Sequence, residues 1–201
     1  MASRQYRTLY TVGWICALQS ESAAAMSMLD EEHDIPRYEI RSEDVNSYIL
    51  GRIGGHNIVM VCLPAGRLGS TSVASVVTAM NASFLAIRFA LLVGIGAGVP
   101  SESRDIRLGD MVVGTLQVQH GGVIQLDLGP RERHQYADIP PRILLRAVVS
   151  LQAQYELDNL KLTQYIANAF ERRPGRPVQH CPSALISHLD VSPSLDKADV
   201  P

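Results

Sequence analysis

The chain has 201 residues, 46% of them hydrophobic and 19% charged, with a formal net charge of -2. That composition is globular and long enough to bury a core without a disulfide or metal staple, and it carries no basic field that would draw the chain to nucleic acid or anionic lipid. Aromatic residues, 5% of the chain, are too sparse for a platform on which single strands stack. The three cysteines, Cys16, Cys62 and Cys181, are odd in number and lack paired spacing. They therefore exclude a disulfide framework and a four-thiolate zinc site. Cys16 and Cys62 lie in apolar runs and are expected as buried thiols, which fits a reducing, cytoplasmic setting. Arg4 and Arg7 ahead of the run from Leu9 to Leu18 imitate a signal peptide. Thr11, Gly13 and Trp14 interrupt that run, and the alanines after it read as helix. The longest apolar stretch, Phe89 to Val99, is too short to cross a bilayer.

In chain order, Tyr10 to Cys16 reads as a strand that is apolar throughout. Ser20 to Leu29 reads as a helix with Ser20 as its N-cap and Ala23, Ala24 and Ala25 as strong formers. Asp30 to Asp44, polar and carrying Pro36, reads as a loop. Ser47 to Ile53 and Asn57 to Leu63 flank Gly54-Gly55 as a hairpin. Ser70 to Phe84 is a helix with Val73, Val76, Val77 and Met80 on one face. Phe89 to Val93 is a short apolar strand, expected beside Tyr10–Cys16 and Asn57–Leu63 in the centre of the sheet. Met111 to Val118 and Val123 to Leu126 read as further strands. Arg142 to Glu156 is a helix begun by Pro140-Pro141 and striped by Ile143, Leu144, Ala147, Val148 and Leu151. Leu160 to Phe170 is a second helix. From residue 172 onward prolines accumulate and apolar periodicity vanishes, so residues 172–201 are expected as a poorly ordered tail behind a domain spanning 9–171. Strands alternating with helices define an α/β class, a mixed central sheet flanked by helices.

Two glycine-rich turns follow apolar strands, Gly66 to Gly69 and Gly94 to Gly98. Strand C-terminal ends are where open α/β sheets hold ligands, and glycines there let backbone amides approach an anion. Tight turning alone would also account for them. Named phosphate loops do not match. The Rossmann pattern has Val99 where its last glycine belongs, a Walker A loop lacks its lysine at Gly69-Ser70-Thr71, and no serine sits in a nucleophile elbow. Among carboxylates Glu21 stands out, in the first turn of a helix directly after a buried strand. That position also suits the helix dipole without any catalytic role. The six histidines, His33, His56, His120, His134, His180 and His188, show no metal-ligand spacing and read as surface or loop residues.

Several of these segments resemble, in order, the nucleoside phosphorylase / nucleosidase superfamily, and in particular the phosphorylase-like domain of fungal NACHT and ankyrin-repeat proteins. The resemblance is carried by Tyr10 to Leu18 with Glu21, Leu50 to Asn57, Leu63-Pro64-Ala65-Gly66, Val93 to Pro100, Asp105 to Asp110, Gly121 to Gln125 and the helix from Pro140 to Gln152. It covers roughly residues 9 to 160. It implies cleavage of a sugar–base bond in a nucleoside or nucleotide through an oxocarbenium-like transition state, with no cofactor and no metal. Glu21 matches the glutamate that positions the hydrolytic water. Gly66, Gly94, Ile95, Gly96, Ala97 and Gly98 match the substrate-lining turns. Phosphate-using relatives carry an arginine and a hydroxyl residue where Leu92 and Ile95 stand, so water is expected as the nucleophile. The family's ribose-clamping Met-Glu pair and its acidic leaving-group motif find no counterpart. The domain is therefore expected to be incomplete on its C-terminal side, with exposed apolar surface that favours self-association. The alternative is a catalytically impaired nucleoside-binding or assembly module.

Overall fold

The computed structural model describes residues 7–34, 43–67, 69–98, 106–107, 109–115, 140–157, 160–172 and 189–190. These residues form an α/β protein whose chain divides into two compact units, Met1–Gly96 with Asn168–Gly175, and Ala97–Ala167 with Arg176–Pro201. No described helix is long and apolar enough to cross a membrane.

The first unit is a five-stranded mixed sheet with strands β1 (Val12–Cys16), β2 (Glu31–His33), β3 (Tyr48–Ile53), β4 (His56–Cys62) and β5 (Phe89–Leu92), in the order β2-β3-β4-β1-β5. β1 runs parallel to β4 and β5, while β3 runs antiparallel to β4 and β2. Ile58, Val59, Met60 and Val61 of β4 are all buried, because both faces of the sheet are covered. Helix α1 (Gln19–Met28) brings Ala25, followed by Leu29, onto Val12, Cys16, Ile58 and Met60. Helix α2 (Ser70–Ser83) brings Val76 and Met80, followed by Phe84, onto Ile15, Leu50, Val59 and Val61. The period-2 alternation of a strand thus sends consecutive residues to two different helical layers. Phe84 also takes edge-on contacts from Tyr10 and Tyr48.

Polar clasps tie the loops to this core. Asp44 accepts hydrogen bonds from the Tyr48 hydroxyl at 2.6 Å and the Ser83 hydroxyl at 2.5 Å. Burial, then the Asp44 carboxylate, push the Tyr48 phenol upward. Arg7 donates to the carbonyl of Ala82 at 2.6 Å, placing a cation at the C-terminus of α2, where the helix dipole favours it. Arg172 does the same for α1, donating to Met28 and Leu29 carbonyls and pairing with Asp30 at 2.6 Å.

The structure corrects several expectations. Leu18, not Ser20, is the N-cap of α1, because Glu21 accepts the Leu18 amide and closes the first turn itself. The stretch read as a loop from Asp30 contains strand β2, with Glu31 opposite Arg52 and paired to it at 3.1 Å. A charged edge strand shows no apolar alternation, so its sequence hides it. His33 on that strand is half-buried and hydrogen-bonds the Tyr10 hydroxyl at 2.8 Å. β5 neighbours β1 as expected but lies at the edge among the described strands, with Leu92 62% exposed. Cys16 is buried and Cys62 half-buried.

In the second unit, β6 (Met111–Val112) is two residues long, and Val113 and Gly114 leave the strand geometry expected through Val118. Its parallel partner is β7 (Leu189–Asp190), inside the stretch expected to hold no regular element. A two-residue pairing needs no periodicity that a sequence could display. Helix α3 (Arg142–Leu157) begins where expected and runs one residue further, but its stripe is not core: none of its residues is buried, and Ile143 and Leu151 are exposed. Helix α4 (Leu160–Glu171) crosses from the second unit into the first. The remaining tail, the strand expected from Val123 to Leu126, the Gly121–Gln125 motif, Cys181, His120, His134, His180 and His188 lie outside the described residues.

Candidate functional site

The site grows from one parallel strand pair. β1 and β5 run side by side with Ile15 opposite Leu92, and the ladder continues one step as the Val93 amide donates to the Ile15 carbonyl at 3.0 Å. Parallel register therefore carries both chains off the sheet together, Ala17-Leu18 from β1 and Gly94-Ile95 from β5. Helix α1 starts at once, which puts Glu21 in its first turn, above this exit.

Glu21 joins the two chains. Its Oε2 accepts the amides of Ala17 and Leu18, each at 2.8 Å, and its Oε1 accepts the amide of Ile95 at 2.8 Å. The residue is only 8% exposed. Burial by itself would raise its carboxyl, but the three amides outweigh that and hold it below its ordinary value of 4.5. It is an ionised carboxylate at neutral pH. Such a group has about four acceptor positions. Among the described residues three amides fill such positions, two on Oε2 and one on Oε1.

Gly94 makes this contact possible. A Cβ at that position would stand 2.7 Å from Glu21 Oε1 and 3.1 Å from its carboxyl carbon. Beyond Gly94 the loop is open. Ile95 is 76% exposed, Gly96 and Ala97 are exposed, and a Cβ on Gly96 would meet nothing within 4 Å. Gly98, in the second unit, lies against Ile106, whose Cγ2 would be 2.7 Å from a Cβ there. Gly66, at the exit of β4, is exposed, and a Cβ on it would also meet nothing within 4 Å. The structure thus joins Glu21 to Gly94 and Ile95.

Sequence reasoning missed the amides of Ala17 and Leu18. The available signal was Glu21 three residues after the N-cap, the acidic half of a capping box, obscured because the cap is leucine. Cys16 and Cys62 stand opposite each other on β1 and β4. Burial, then the neighbouring Cys62 sulfur, push the Cys16 thiol up to about 11, and burial raises Cys62 as well. Both are therefore protonated and poor nucleophiles at neutral pH. Among the described residues no group of three or more His, Cys, Asp and Glu side chains could hold a metal ion.

The fold and site define an α/β domain with an ionised carboxylate fastened to a glycine loop at the strand ends. No model of a known protein family matches the chain. Over 166 residues, 80% of its length, it is 43% identical to a "Nucleotide-binding leucine-rich repeat (NLR)-like protein" of Hyaloscypha variabilis, and the chain spans 16% of that protein.

Proposed function

We propose that this domain binds a purine nucleoside or nucleotide over the turn from Gly94 to Gly96 and cleaves its N-glycosidic bond with water. The observation that carries the reading is the Glu21 carboxylate, buried, ionised and joined to the Ile95 amide at 2.8 Å. A carboxyl held below its ordinary value is a weak base at neutral pH, so its task in this reading is to orient the water rather than to take its proton. The exposed, uncrowded Gly96 leaves room for a sugar to lie over the loop. The order of motifs resembling nucleosidases supports the same reading. The setting that fits is cytoplasmic.

A second reading is a nucleoside-binding or assembly module without turnover, acting as a self-associated species. Three of the four acceptor positions of Glu21 are spent on backbone, which favours a fastening role for it. Release of free base from a panel of purine nucleosides and nucleotides, followed by chromatography, separates the readings when combined with calorimetric binding. Release that depends on Glu21 supports cleavage. Binding without release supports the module, and neither binding nor release with any of the panel sinks both.

A further inference from the structure

Cys16 and Cys62 face each other across a parallel strand pair. They are register partners, each is the last residue of its strand, β1 and β4, and both join the cluster under helix α1. Neighbouring strands stand about 4.8 Å apart, inside the roughly 4.4–6.8 Å between Cα atoms that a disulfide spans. Its Cβ atoms must come within about 3.8 Å, so closing the bond draws the two strand ends together. A bond made under such strain, with Cys62 half-buried and open to a reductant, is the labile kind that forms and breaks reversibly.

The pair also lies beside the site. The Glu21 charge acts on both thiols. The residue after Cys16 is Ala17, whose amide is held by Glu21 Oε2, while Oε1 of the same carboxylate holds the Ile95 amide, each at 2.8 Å. The Leu63 amide, next to Cys62, donates to the Cys16 carbonyl at 2.8 Å. Moving Cys16 toward Cys62 therefore pulls on the carboxylate that fastens the Gly94–Ile95 turn.

We propose that Cys16 and Cys62 are a redox pair: a peroxide closes them into a disulfide that loosens the Glu21 clasp on Ile95, and an added dithiol reopens it. The device is independent of any turnover at the site. Cys62, the more exposed of the two, reacts first. Its thiolate attacks a peroxide oxygen, the S–O bond forms, the O–O bond breaks, and the leaving hydroxide takes up a proton as water. The Cys16 thiolate then attacks the Cys62 sulfur, the S–S bond forms, the S–O bond breaks, and a second water leaves. Two thiols lose two electrons and one peroxide gains them. Because burial raises both thiols, closure should speed up about tenfold between pH 7 and pH 8 as the thiolate fraction grows.

The test uses the full chain carrying Cys181→Ser, so that only the pair can react. After hydrogen peroxide treatment at pH 8, the monomer should lose both free thiols and two hydrogens of intact mass, with Cys16 and Cys62 peptides cross-linked. The Ile95 amide should then exchange at least about tenfold faster than in the reduced chain and recover with dithiothreitol. With Cys62→Ala added, peroxide should leave Ile95 exchange unchanged, and Cys62→Ser serves if that variant fails to fold. Thiols that persist, oxygen added to the mass in place of hydrogen lost, or a disulfide that leaves Ile95 exchange unchanged overturns the proposal. So does an Ile95 response to peroxide in the chain lacking Cys62.

Discussion

The two glycine turns look alike in sequence, each closing an apolar strand, yet their glycines answer to different constraints. Gly66 has φ +74 and open space around its missing side chain. It is the third residue of a turn in which the Arg67 amide donates to the Pro64 carbonyl at 3.0 Å, the position where a type II turn demands positive φ. Gly94 keeps ordinary backbone angles and is glycine because Glu21 occupies the place of a Cβ. One turn is shaped by the backbone itself and the other by a neighbour 73 positions away in sequence, Gly94 against Glu21.

Substitutions can break that contrast, the largest effect coming at the carboxylate. Glu21→Ala strips three backbone donors of their partner at a buried point and should cost about 2–4 kcal/mol in urea unfolding. A loss below about 0.5 kcal/mol would show that the amides find other partners at no cost. Gly94→Ala should cost about 1–3 kcal/mol, since a fastened carboxylate must yield to the methyl group, and nucleoside binding should weaken with it. Gly66→Ala should cost about 1 kcal/mol, from backbone strain alone, and leave the Glu21–Ile95 bond and nucleoside binding unchanged. If Gly66→Ala impaired binding as much as Gly94→Ala, the division between the turns would fail.

Acid is the gentlest perturbation. The Glu21 carboxyl is held below its ordinary 4.5 in the folded chain. The stability it contributes is therefore fully present above that value and is lost as pH falls through the lower folded one. The stability gap between wild type and Glu21→Ala should stay constant from pH 7 to about 5.5 and narrow below about 4.5. A gap that widened on acidification would contradict an ionised Glu21.

Much of this was legible in the chain. β1, β4 and α2 declare themselves because burial on both faces, or on one helical face, forces apolar residues at a regular period. The burial of Val59 and Met60 on opposite faces follows from that rule. β2 was not legible, because a charged edge strand needs only its backbone to pair. The exposure of Ile143 and Leu151 on α3 was not legible either, because an apolar stripe specifies a helix with an apolar side but not what covers it. Glu21 could be singled out by its place after a buried strand, and Gly94 and Ile95 by the glycine run. Their meeting required the parallel register of β1 with β5, which no local pattern encodes.

The most direct witness to the central claim is the Ile95 amide hydrogen. It belongs to an exposed residue in a loop, and among the described residues its partner is the Glu21 carboxylate. In the wild type at neutral pH it should exchange at least about a hundredfold more slowly than the amide of Gly96, and in Glu21→Ala the two should exchange alike. Fast exchange of Ile95 in the wild type, or equal protection in wild type and variant, would contradict a glycine loop held in place by the Glu21 carboxylate.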